Sequence, residues 1–434
     1  MKPIVLGVAL GCMISTGVHA QENIDVAPQL AGEPGPAPGR KIIPQKEPAA
    51  PSSQAYQIGS FLVYPEVVLS EMYDDNVYAT QSNRISDFAT IVSPAVWFQS
   101  NWKKHVLKFE VGADSARYHS QTSQNSNDYR YSIEGRYDIN PQTNVYGGVR
   151  RAQEHEDRES PDFRNGFFPT LYHSIKGYAG VFRQFEKLSV RLGGTAQKLE
   201  FDNVPFSFGV INNSDRNRML YTGGARIAYE LSPKSEVYLQ TAVDDRRYQN
   251  KPDDAGYIRD SNGERLLVGT RVNLPRKLRA DVFVGHMTQR YQDFRLGTVS
   301  TPMLGANVNW YQSDSTTLSA YLDRTIEETT VFQTIPVTLP ASSYVNSYGA
   351  LTLDHKYSSK LSASANLSYS RNAFQGFPRI DNYGGVGAGA VYQLGKGLFL
   401  DASFQHRWLR SDFTPENFDR NILFLRLAFA LSPS

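Results

Sequence analysis

From residue 58 onward, apolar and polar positions alternate along the chain. Over 398–408 one parity holds Leu398, Leu400, Ala402, Phe404 and Trp408, interrupted by His406, and the other holds Phe399, Asp401, Ser403, Gln405 and Arg407. Over 421–431, Leu423, Leu425, Leu427, Phe429 and Leu431 alternate with Phe424, Arg426, Ala428 and Ala430. Val237, Leu239, Thr241 and Val243 oppose Gln240, Asp244 and Arg246, and Leu361, Ala363, Ala365 and Leu367 oppose Ser362, Ser364, Asn366 and Ser368. Successive side chains of a strand point to opposite faces, so this period of two predicts strands with one apolar and one polar face.

The connections fall into two kinds. Short ones carrying turn residues are expected at 100–104, 140–144, 184–187, 232–235, 275–277, 313–316, 358–360 and 395–397. Longer polar ones are expected near 76–88, 120–128, 157–170, 202–215, 250–260, 292–301, 330–342, 374–380 and 411–418. Eight short and nine long connections, strictly alternating, join 18 strands. An even number of antiparallel strands with short turns at one end and long loops at the other is the pattern of an all-β, antiparallel outer-membrane β-barrel. Just before the short turns an aromatic recurs on the apolar parity: Tyr137, Tyr229, Trp310, Tyr357 and Tyr392. Such a row matches a girdle at a membrane interface. Tyr118, Tyr129, Tyr248 and Tyr291, near the opposite strand ends, are expected in a second, outer girdle, with stacking on sugar faces as the other reading.

Composition agrees with this picture. The mean hydropathy of the 434 residues is −0.43, and no apolar run reaches the length of a spanning helix; alternating barrel strands average to such a value. With 45 basic against 43 acidic residues, the net charge of +2 provides no field for nucleic acid. At the N-terminus, Lys2, an apolar run over 4–17 and Val18-His19-Ala20 predict a secretory signal peptide, residues 1–20. The only cysteine, Cys12, lies inside it, so disulfides and cysteine-ligated metals are excluded from the mature chain. Residues 21–57, with Pro28, Pro34, Pro36, Pro38, Pro44, Pro48 and Pro51, predict a disordered periplasmic linker. The barrel is expected over 58–434.

No enzyme is expected. Gly385, Gly387 and Gly389 share one parity of a strand that continues through Tyr392, so they thin one face and do not cradle a phosphate. No histidines fall at metal spacing, and no metal or other cofactor is expected. The acidic clusters over 154–159 and at Asp253-Asp254 read as solvated loop faces, with binding of divalent cations, or a bridge through them to lipopolysaccharide, as the other reading. The polar parity is the informative one: Lys108, Glu110 and Asp114; Glu134, Arg136 and Asp138; Arg191; Arg226; Asp244 and Arg246; Arg271; Arg279 and Asp281; Asp354; Asp401 and Arg407; Arg426. In a barrel these are pore-lining candidates, because Arg or Lys on the lipid face costs about 2–4 kcal/mol at midplane. Mixed signs around the wall suit a neutral or modestly charged solute.

Residues 64–78, YPEVVLSEMYDDNVY, followed by Ser86-Asp87-Phe88 and Ser93-Pro94-Ala95-Val96, resemble the opening strands of the putative β-barrel porin type 2 family. The motif is carried by Tyr73, Asp74, Asp75, Asn76, Asp87 and Pro94. The resemblance implies an outer-membrane channel of a Gram-negative bacterium that exports an exopolysaccharide. Its partners would be membrane lipid and lipopolysaccharide, the polysaccharide or another hydrophilic solute, and periplasmic export components reached through the proline-rich linker. Import of small solutes and a structural barrel with a plugged lumen are the competing functions. None of the loops exceeds about 15 residues, so only a small constriction is expected.

Overall fold

The computed structural model describes residues 55–163, 166–333 and 339–430. The expected signal peptide and the linker up to residue 54 lie outside the described residues. The main sheet comprises β1 (Phe61–Asp74), β2 (Asp87–Ser100), β3 (Val106–Tyr118), β4 (Ser126–Asn140), β5 (Thr143–His155) and β6 (Leu171–Phe185). It continues through β7 (Leu188–Phe201), β8 (Arg218–Ser232), β9 (Ser235–Tyr248), β10 (Ser261–Leu274), β11 (Leu278–Tyr291) and β12 (Thr298–Tyr311). The last six strands are β13 (Thr316–Glu328), β14 (Ser343–Lys356), β15 (Leu361–Gln375), β16 (Ile380–Gly395), β17 (Leu398–Ser411) and β18 (Phe418–Ala430). Each strand pairs antiparallel with its sequence neighbours, and β1 pairs with β18 from Glu66↔Ala430 to Asp74↔Ile422. The 18 strands therefore close into a barrel, and every expected connection falls between consecutive strands, although the 120–128 and 292–301 stretches run three and four residues into β4 and β12. A short segment, Tyr56–Ile58, pairs with the start of β1. Two-stranded hairpins sit within the 202–217 and 329–342 loops.

The two faces are inverted relative to a water-soluble protein. Val243 is 59% exposed and Leu266 55%, and Leu239, Val268, Val284 and Leu425 behave likewise, all on the outward parity. Arg246 and Gln240, on the inward parity, are each only 1% exposed. A continuous exposed apolar surface of this size has no stable place in water, whereas hydrocarbon covers it without cost. Tyr137, Tyr229, Trp310, Tyr357 and Tyr392 are exposed on the outward face at the short-turn end, as the girdle requires.

The second girdle needs correction. Tyr129 does face outward, stacked on Tyr131 at 6.4 Å. Tyr248 and Tyr291 turn inward instead, and their hydroxyls donate to buried Glu328 at 2.7 and 2.8 Å. Tyr118 packs inside against Met72, Ala89 and Ile422. Each of these three has the parity of its strand's polar set, which is the stronger signal.

The three glycines of β16 thin the inner face. A Cβ at Gly387 would meet the Asn366 amide at 2.9 Å, and one at Gly389 would meet Ser403 Cβ at 2.9 Å.

Candidate lumen constriction

The polar parity of every strand points into the barrel, and the charges lie along its wall in cross-strand groups. Arg130 joins Glu110 and Asp114 at 2.9 Å each. Arg226 Nη2 meets Glu236 at 2.9 Å, and Arg271 meets Asp281, which also accepts from Tyr238. Arg426 pairs with Asp401, and Arg136 Nε lies 2.9 Å from Asp138. Arg246 bridges Asp244 and Glu328, and Arg265 reaches Asp244 at 2.9 Å. Arg191 lies 4.8 Å over the Phe182 ring. Lys108 pairs in register with Glu134, while Arg279 is exposed to the interior and Asp354 is half-buried there. Most of the anticipated residues thus stand in ion pairs, some within one strand (Arg136–Asp138, Arg246–Asp244), some in register between neighbouring strands (Arg271–Asp281, Arg426–Asp401) and one from β9 to β13 (Arg246–Glu328). Arg130, Arg265, Glu328 and Arg420 complete these groups and were not anticipated. The first, second and fourth share the polar parity of their strands, so the same rule identifies them.

The loop after β5 overturns the expectation of a solvated acidic face. Glu156, Glu159 and Asp162 are all buried. Glu156 receives two hydrogen bonds from Arg216, at 2.6 and 3.0 Å, and a third from Ser160. Asp157 and Glu159 lie 3.2 and 2.8 Å from Arg420 Nη1, and Arg407 Nη1 approaches Glu159 at 3.4 Å. Asp162 accepts from the Thr329 hydroxyl at 2.6 Å and from the Thr330 amide at 3.1 Å. The Glu159 carbonyl accepts from Tyr383 on β16. Arg216 stands two residues before β8, whereas Arg407 and Arg420 belong to β17 and β18. β8 and β17 are nine strands apart in a ring of 18, on opposite walls. Residues 156–163 therefore form a strap across the lumen. The expectation of only a small constriction fails because loop length does not tell whether a loop stands up or folds in; here eight residues suffice because Arg216 and Arg420 reach inward to meet it.

The strap is held electrostatically. Burial opposes the charge of Arg216, but the Glu156 carboxylate outweighs it and holds the guanidinium above the usual arginine range. Arg158 differs: burial pushes it down to about 10. Its donors go to Gln124 Oε1 and to the Gly166 and Phe167 carbonyls, at 2.8, 2.8 and 3.2 Å. Its guanidinium also lies 4.5 Å from the Phe163 ring centre. The neighbouring loops lock onto the strap's far end: Arg259 donates to the Thr329 and Ala341 carbonyls at 2.7 and 2.8 Å and pairs with Asp253. Asp253, also expected on a solvated face, is buried in that pair.

The Tyr73–Asn76 motif has a structural role at the seam where β1 meets β18. Asp74 is fully buried and accepts from Arg420 Nε and Nη2 at 3.0 and 2.6 Å. Asp75 accepts from the Asn421 amide and side chain, at 2.6 Å each. Asn76 donates to the Asp419 carbonyl at 2.8 Å. Asp87 accepts from the Ser120 and Gln121 amides and so fixes the loop after β3. Pro94 lies within β2 opposite Val67.

Residues 51–431 match the family described as "Putative beta-barrel porin 2". The chain belongs to this family. It is accordingly an outer-membrane, porin-like β-barrel channel, and its fold implies the outer membrane of a Gram-negative bacterium. Among solved structures, the porin is similar to Pseudomonas aeruginosa OccK9 (OpdG), at 13% identity and a TM-score of 0.46, covering 85% of this chain and 98% of that one. It is also similar to Pseudomonas aeruginosa OccK2 (OpdF), at 10% identity and a TM-score of 0.47, covering 86% and 98%. No curated protein matches the sequence.

Proposed function

We propose that this porin is a passive channel for small hydrophilic solutes, with residues 156–163 as its size-limiting element. The observation that carries the reading is the strap itself, pinned to opposite walls through Glu156–Arg216 and Glu159–Arg420. An 18-strand barrel without such an obstacle leaves an aqueous channel. The strap divides that space, and solutes pass the polar wall beside it. Lys108, Glu110, Asp114, Glu134, Arg136, Arg191, Arg226, Asp244, Arg246, Arg271, Arg279, Asp281, Asp354, Asp401, Arg407 and Arg426 contribute to that wall. Their mutual pairing leaves few uncompensated charges, which suits neutral and weakly charged solutes. The short turns and the N-terminal linker face the periplasm in this reading, and the linker is a tether.

Export of an exopolysaccharide rested on the family resemblance and on a lumen free of a large obstruction. The second ground is gone, because the strap occupies part of the section that a polymer would need. Liposome swelling with sugars of increasing size is the test. Mono- and disaccharides are expected to enter and oligosaccharides to be excluded, with the limit moving upward when residues 157–163 are replaced by a short Gly-Ser link. Equal entry of long oligosaccharides into wild-type liposomes, together with periplasmic retention of polymer in a deletion strain, would instead establish export.

A further inference from the structure

One part of the outer surface departs from the apolar pattern. The outward parity of β5, β6 and β7 carries Arg151, His173 and Lys198 within a few residues of the long-loop ends of those strands. Arg151 lies opposite Ile175, and Ile175 opposite Lys198. The two cations are thus two strands apart, about 10 Å at ordinary strand spacing. With Glu200 and Ile175 these residues line a groove of about 240 Å³. Glu200 holds the Lys198 ammonium at 2.7 Å, and His173 Nε2 stands 3.6 Å from Asp202. Arg151 is exposed and makes no ion pair among the described residues.

An unpaired arginine on the outward face of a membrane barrel has a narrow range of acceptable depths. Its cost is about 2–4 kcal/mol at midplane and falls to about 0–1 near the interface, so Arg151 belongs at headgroup level. There an anion can satisfy it. Toward midplane the surface becomes smooth: Gly177 and Ala179 on β6 and Gly194 and Ala196 on β7 share the outward parity and form a shallow trough. A groove whose one uncompensated charge is Arg151, opening onto a smooth apolar trough, fits a molecule with a phosphate at one end and acyl chains at the other.

We propose that Arg151, His173 and Lys198 seat the phosphate of an outer-leaflet glycolipid, whose acyl chains lie along the Gly177–Ala196 trough. The long loops of an outer-membrane barrel face the cell surface, which places the groove in the leaflet where such lipids occur. Arg151 supplies the uncompensated charge. Glu200 keeps Lys198 extended toward the groove.

The probe is bis-phosphorylated lipid A, added to the detergent-purified protein beside its dephosphorylated form and inorganic phosphate. Lipid A should raise the temperature at which the unheated gel form converts to the heated one. The other two additions should leave it unchanged. The double variant Arg151→Glu/Lys198→Glu should bind lipid A at least about tenfold more weakly, two surface cations being reversed. Its conductance should equal that of wild type, since both side chains lie outside the lumen, and this also verifies its folding. Arg290→Gln, another outward arginine, should bind lipid A normally. A matching shift with inorganic phosphate would reassign the groove to free phosphate and overturn the lipid proposal. So would unchanged lipid A affinity in the double variant, or affinity lost on chelation of divalent cations alone.

Discussion

Releasing the strap should widen the pore, and the size of the effect follows from its anchors. Glu159 is buried to 2% side-chain exposure and its carboxylate is shared between Arg420 and Arg407. Glu159→Gln keeps the shape but removes the charge-assisted hydrogen bonds, each set worth about 1.5–3 kcal/mol. Arg420 keeps Asp74 and Asp157 in this variant, so the barrel seam survives and only the strap loosens. If closed and released straps interconvert, that energy raises the released fraction about 10- to 150-fold. Arg420→Met is the harsher change. It leaves Asp74 and Asp157 without their guanidinium and Glu159 with Arg407 alone, and breaking a buried ion pair from one side costs about 3–5 kcal/mol. Single-channel recording in planar bilayers is the assay. Glu159→Gln should add long-lived openings of higher conductance to the wild-type level, and Arg420→Met should spend most of its time there. Arg290→Gln, outside the lumen, is the control. If both strap variants conduct as the wild type does, with the same step frequency, the strap does not limit the path.

Two further outcomes follow from the same geometry. Asp75→Ala removes two 2.6 Å hydrogen bonds across the β1–β18 seam; loss of about 1–3 kcal/mol there should lower the temperature of the gel-mobility transition while leaving conductance unchanged. Asp293, in the loop between β11 and β12, is held well below the usual carboxylate range by hydrogen bonds from the Arg295 guanidinium, against some burial, and by the Arg295 and Ile258 amides. A carboxyl whose folded pKa is depressed contributes stability that is present above its unfolded value, near 4, and lost as pH falls toward the folded one. Limited proteolysis within residues 250–260 should therefore stay slow down to about pH 4 and quicken only below it, whereas Asp293→Asn should be cut faster at every pH. A wild-type loop that opens between pH 6 and 5 would contradict this.

The strand count, the two connection classes and the inward parity were legible in the sequence, because each follows from a local rule. A residue's face in a strand depends only on whether its number is odd or even, and a membrane barrel penalises any error in that alternation. Arg246, Arg271 and Arg426 were placed inside by parity alone, and for Arg271 and Arg426 the carboxylate partners then followed from neighbouring strands in register. Parity also held Tyr248 and Tyr291 inside, against an expectation drawn from aromatic frequency at membrane interfaces. The strap was not legible. Residues 154–159 look like any charged surface loop, because an acidic run is stable in water or against arginines equally well. What decides between the two is the position of Arg216, Arg407 and Arg420, which are 60, 251 and 264 residues beyond Glu156 in sequence. Closure of the barrel alone brings those three guanidinium groups to one level of the lumen. Asp74 and Asn76 show the same division: their chemistry marks a site, but only the meeting of the first strand with the last gives that chemistry its partners. Local alternation needs nothing beyond the chain's own order, whereas buried charge is stable only beside its counter-charge, and that neighbour exists only once the sheet has closed.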